Sequence, residues 1–286
     1  MGLFFDAGDY ELLSMLDSLR GAAHESKALR RSLDPFMHPC GIKELTAPRS
    51  LRIARAMITL LTSLDQGRAQ SRLQALRCVR DEALANEQAA FKRNTARVLL
   101  QMMKELVRCN DPSRRLELAH GFRMALEGKP RRIRAMLKER NLLEMPEDWS
   151  QIAFDDHVHD AHTKGRKTAT HLVMDAWIKG MRSMTVIYYG SVRAEAVREL
   201  IEAGGIMDVS VKIGVELPVR LSRKVGHLIW VPRGFTDSAD FLGFLRKPQV
   251  KHFMEEGEAA NRVASAKVLD SLAEFNVDGR PRLASR

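Results

Sequence analysis

The sequence predicts a two-part α+β protein, an all-α helical domain over residues 1–148 followed by a β/α domain over residues 149–286, and two contrasts along the chain carry that reading. Up to about residue 145, Leu, Ala, Met and Arg dominate while β-branched and aromatic residues are few, which is the composition of helices. From Met145-Pro146-Glu147-Asp148-Trp149 onward Val and Ile rise, glycines punctuate, and short apolar runs alternate with amphipathic segments, the texture of strand and helix in turn. A hydrophobic share of 45% in 286 residues is ample for a buried core in each part.

Taken in order, Leu51 to Leu64 sets Ile53, Ala54, Met57, Leu60, Leu61 and Leu64 at helical spacing, and Gln66-Gly67 breaks the run. Arg68 to Cys109 continues it, long enough for a coiled-coil arm or two stacked helices. Asn110-Asp111-Pro112 restarts the chain: Asp111 can cap, Pro112 suits a first turn, and Gly128 closes the helix before Lys129-Pro130 opens another. In the second part Phe154 ends a first strand, and Thr168 caps a helix with Leu172, Val173, Ala176 and Trp177 on one face. Met184 to Tyr188 makes a second strand, and Ser191 caps a helix that Gly204-Gly205 ends. Val209, Val211, Ile213 and Val215 alternate into a third strand with Glu216 at its carboxyl end, and His227 to Val231 is a fourth. Two helices follow, about Ser238 to Leu245 and Lys251 to Phe275, before a charged tail that reads as a linker.

The chain carries 46 Lys and Arg against 36 Asp and Glu, a net charge of +10, most visibly in Lys129-Pro130-Arg131-Arg132-Ile133-Arg134 with Lys138 and Arg140. Clustered arginines displace counterions from phosphates, so this helix face reads as a contact for nucleic acid, an acidic partner or an anionic surface. It lacks interleaved aromatics for base stacking, and a solvated face is the alternative. Cys40, Cys78 and Cys109 are odd in number and far apart, which suggests buried thiols rather than a disulfide framework or a Cys-His zinc site. The N-terminal residues have no basic n-region, and no stretch reaches the roughly 18 apolar residues of a spanning helix. The expectation is a cytoplasmic protein with no membrane partner.

Chemistry concentrates in residues 152–171, which hold four of the nine histidines. Asp155, His157 and His159 alternate, so an extended strand would point all three to one side, and imidazole with carboxylate suits zinc, manganese or iron. Further on stand Asp160 to Gly165, Gly214-Val215-Glu216, and Gly226-His227-Leu228-Ile229-Trp230. This ordered series resembles the PHP family, the polymerase and histidinol phosphatase domain, over residues 152–231. The resemblance implies a distorted, TIM-type β/α barrel, here partial or open because no further strand is evident after Val231. It implies a metal-dependent phosphoesterase acting on a phosphorylated substrate, with Asp155, His157, His159 and Glu216 as metal ligands. Glu216 and His227 would be catalytic, and Lys164, Arg166 and Arg233 would receive the phosphate. Two stations depart from the family: Tyr188-Tyr189-Gly190 stands where T-D-H belongs, and Lys164 replaces an acid. The departures leave two readings open, a hydrolase holding one divalent ion and a degenerate domain that has lost it. The latter would serve as a scaffold or binding module of a larger protein, completed by further C-terminal domains or an oligomer, with the helical half contacting a partner.

Overall fold

The structure is a computed structural model that describes residues 5–25, 48–64, 68–84, 91–146, 153–221, 224–235 and 237–280. The division near residue 148, the break at Gln66-Gly67 and Cys40 lie outside the described residues.

Among the described residues six helices come first: α1 (Ala7–Glu25), α2 (Arg49–Ser63), α3 (Ala69–Leu84), α4 (Lys92–Arg108), α5 (Pro112–Leu126) and α6 (Pro130–Glu139). Arg68 to Cys109 is thus two helices rather than one arm. The start of α5 follows its local chemistry: the Asp111 carboxylate accepts the Arg114 amide at 2.7 Å, and Pro112, which has no N–H to satisfy, takes the first turn. Past its end Gly128 adopts φ +65°, the left-handed region glycine enters at little cost. The basic run on α6 is partly neutralised within the protein, since Arg132 meets Glu127 at 3.3 Å, Arg134 meets Glu144 at 2.8 Å and Arg140 meets Glu105 at 3.3 Å.

The second part alternates β1 (Phe154–Val158), α7 (Ala169–Lys179), β2 (Ser183–Tyr189), α8 (Ala194–Met207), β3 (Ser210–Leu221) and β4 (Lys224–Trp230), then α9 (Ser238–Leu245) and α10 (Pro248–Glu274), which runs into a π-helical turn (Phe275–Gly279). The strands form a four-stranded, curled half-barrel sheet in the order β1-β2-β3-β4. β1, β2 and β3 are parallel, and the register sets Tyr189 beside Glu216.

Several boundaries differ from the sequence reading, each for a physical reason. Phe154 begins β1 rather than ending it. α8 passes through Gly204-Gly205 and stops at Asp208, a left-handed residue at φ 57°. Gly204 is needed for close packing instead, because a Cβ there would stand 2.7 Å from the Val209 carbonyl oxygen. The β3 strand continues beyond Glu216 to Leu221, leaving two residues before β4, so β4 returns antiparallel and His227 pairs with Pro218 in mid-strand. A parallel return would need a dozen or more connecting residues.

One buried apolar cluster runs from Leu12 and Leu16 on α1 through Met57, Leu76, Leu100 and Phe122 to Val173, Val186, Leu200 and Phe241. α3 packs on α8 and α4 on α7, so the helical layer closes over the helices that cover the sheet. Polar bonds cross this contact. Fully buried Arg97 donates to the Ile178 and Leu143 carbonyls, both at 2.8 Å. Arg72 grips Glu199 with two bonds of 2.8 and 2.7 Å, and Lys104 reaches Asp175 at 2.6 Å. Among the described residues no helix is long and apolar enough to cross a membrane.

Candidate functional site

The histidine-rich stretch forms β1 and the loop that follows it. On β1 the pleat separates the two aspartates: Asp156 accepts the Thr185 hydroxyl at 2.9 Å, while Asp155 accepts the amide of His157 at 3.1 Å within its own turn. The loop is organised by Asp160, which is fully buried. Its carboxylate accepts the Tyr188 hydroxyl at 2.6 Å and the His162 amide at 2.8 Å, while its carbonyl accepts the Gly165 amide at 2.8 Å. Burial and the adjacent Asp160 carboxylate push the Tyr188 phenol far above its ordinary value, so Tyr188 stays a neutral donor. Gly165 closes this turn because a Cβ there would stand 2.2 Å from the His159 carbonyl oxygen. The turn thereby brings Lys164 back over the end of β2.

Five side chains named from the sequence converge there with one newcomer, Tyr189. His159 places Nδ1 2.9 Å from the Ile187 carbonyl, which makes Nδ1 the donor and leaves the Nε2 lone pair outward. That lone pair faces the Tyr189 hydroxyl at 3.3 Å, with the two rings stacked at 5.2 Å. The His157 ring stands edge-on to His159 at 5.1 Å, and its Nε2 is 3.9 Å from Glu216 Oε2. His227, crossing on β4, puts Nδ1 2.7 Å from Glu216 Oε1. Lys164 lies over the Tyr189 ring with Nζ 4.6 Å from its centre. The Tyr189 phenol and, more weakly, Glu216 hold the Lys164 ammonium above its ordinary value.

The structure thus brings His157, His159, Glu216, His227 and Lys164 together at one edge of the sheet. Asp155 bonds in its own turn, and Arg166 and Arg233 are exposed with no bond to the cluster among the described residues. Tyr188 and Tyr189, read from the sequence as a departure from the family's ligand station, and Asp160, read as the start of its next motif, are further contributors. The signal available for Asp160 was its spacing to Gly165, an acid and a glycine bracketing a tight loop.

Glu216 directs its two oxygens to two imidazoles, the His159 lone pair meets a phenol, and an ammonium occupies the adjoining space. Among the described residues no group of three or more His, Cys, Asp or Glu side chains converges to hold a metal ion. As arranged, the donors do not fit one. The cluster offers instead a fixed positive charge beside imidazoles and one carboxylate that is mostly buried, an arrangement suited to meeting an oxyanion. No protein-family model, curated protein or solved structure matches the chain.

Proposed function

We propose that the chain contains a degenerate PHP-like domain that binds a phosphorylated ligand at the His157–Glu216–His227 cluster without metal-dependent hydrolysis. The observation that carries this reading is Tyr189. It stands where the family's metal station would be, closes off the His159 lone pair with its hydroxyl, and supports Lys164 on its ring. A tethered ammonium replaces the mobile divalent charge. It can attract phosphate oxygens, yet it does not generate a metal-bound hydroxide, so binding survives where turnover is lost. Glu216 orients His227 through its Nδ1 and, at longer range, His157.

The test is titration of phenyl phosphate into the full chain with excess chelator present, followed by calorimetry or amide NMR shifts. Binding should persist with chelator and weaken about tenfold or more in Lys164→Ala, the loss of one charge-assisted contact. Zinc- or manganese-dependent turnover of the same compound, abolished in Glu216→Gln, would replace this reading with the hydrolase.

A further inference from the structure

Away from this cluster, α2, α4 and the start of α7 enclose a cleft of about 400 Å³. Leu61, Leu64 and Val107 form one apolar wall, while Lys104, Arg108, Asn110 and His171 line the rest. The size falls within the roughly 300–1,000 Å³ of small-molecule sites, which combine apolar walls with a few placed polar groups. Directly behind the lining, Asp175 bonds Lys104 at 2.6 Å and also Lys167, and His171 Nε2 stands 3.8 Å from the same carboxylate. Lys104 is 15% exposed, His171 8% and Asp175 7%, so this is a largely desolvated group of charges. Lys104 and the 39% exposed Lys167 share the Asp175 carboxylate, and the exposed Arg108 stands on the cleft lining beside Lys104. Taking an ammonium out of water is costly, and a single carboxylate offsets one such charge. Asp175 stays ionised in this setting: burial alone would raise its pKa, and the two lysines outweigh it and hold it below the ordinary value. Among the described residues that line the cleft there is no acid, and Lys104 and Arg108 both border the open volume.

We infer that this cleft is a second binding site, for a small organic anion whose phosphate or carboxylate head meets Lys104 and Arg108 and whose compact apolar body lies against Leu61, Leu64 and Val107. The site sits between the helical layer and the helices covering the sheet, so an occupant would tighten that contact and stabilise the whole chain. It is independent of the proposed function, because the two clusters share no residue.

The probes are phenyl phosphate and benzoate, which separate a phosphate head from a carboxylate one, added at millimolar concentration to the full-length chain. Melting temperature and calorimetric affinity are read for wild type, Arg108→Ala, Lys104→Met and Lys164→Ala. Arg108 is exposed, so its truncation leaves the fold intact even if Lys104→Met is destabilised. One or both probes should raise the wild-type melting temperature. Arg108→Ala should weaken that binding about tenfold, while Lys164→Ala leaves the calorimetric phase assigned to the cleft unchanged. No shift with either probe, equal affinity in Arg108→Ala, or a shift removed entirely by Lys164→Ala would each overturn the inference.

Discussion

Replacing Glu199 removes the carboxylate that ties the helical layer to the β/α half. Its Oε1 accepts Arg72 Nε at 2.8 Å, the Thr170 amide at 3.2 Å and the Thr170 hydroxyl at 2.7 Å, while Oε2 accepts Arg72 Nη2 at 2.7 Å. Arg72 and Glu199 are only 12% and 6% exposed, so water does not replace the lost partner. Glu199→Ala leaves a mostly buried guanidinium without its carboxylate, which costs about 3–5 kcal/mol. Glu199→Gln is milder. The amide oxygen can take over the three Oε1 bonds, but its NH2 then faces Arg72 Nη2, donor against donor, and about 2 kcal/mol is expected from one lost charge-assisted bond. Adding Arg72→Met to Glu199→Leu should recover much of the loss, since neither charge then remains buried. The assay is urea unfolding with linear extrapolation, reading both midpoint and slope. Because the pair bridges α3 and α8 across one shared core, the transition should stay single as it moves. A Glu199→Ala chain within about 1 kcal/mol of wild type, or unfolding in two phases of which one alone shifts, would refute the account of the pair as the tie.

Three further outcomes are expected. Tyr188→Phe deprives the buried Asp160 carboxylate of its 2.6 Å donor and should cost about 1–3 kcal/mol in the same urea assay, with no cost refuting the role given to Asp160 in holding the loop. Gly165→Ala drives a Cβ against the His159 and Asp160 carbonyl oxygens, so it should cost about 1–3 kcal/mol and weaken phenyl phosphate binding together, whereas a neutral effect on both would show that Lys164 is not placed by this turn. At acid pH, Glu199 and Asp175 both have folded pKa values below the ordinary 4.5 and 3.8. In each, burial alone would raise the value, and Arg72 with Thr170, or Lys104 with Lys167, outweighs it. The native state therefore binds fewer protons than the unfolded chain as pH falls below those values. Their stabilisation is complete above about pH 4.5 and is lost below it as the folded values are passed. The melting-temperature gap between wild type and the Glu199→Gln, Asp175→Asn double variant should be constant above pH 4.5 and narrow below it, and a gap independent of pH would contradict the assignment.

What the sequence determined alone is local. The helices of the first part, the Asp111-Pro112 start of α5, the second strand and the limits of α9 all depend on neighbours within a few residues, through spacing, caps and chain stiffness. The alternation of His157 and His159 was visible in the letters, but their partners were not: His157 faces Glu216, which the sequence placed at a strand end and the sheet places mid-strand, and His159 faces Tyr189. Decisions that only tertiary structure could make involve partners distant in the chain. That Glu216 sits mid-strand, with β3 running on to Leu221 and β4 antiparallel to it, depends on pairing across the sheet rather than on composition. That Gly204 and Gly165 serve close packing rather than chain reversal depends on what lies against them. The state of the site was decided the same way. Asp155 and Asp156 are equivalent as letters, but the sheet gives one to Thr185 and leaves the other in its own turn. Tyr188 and Tyr189, adjacent on a pleated strand, are sent to opposite faces, one buried on Asp160 and the other beneath Lys164 beside His159.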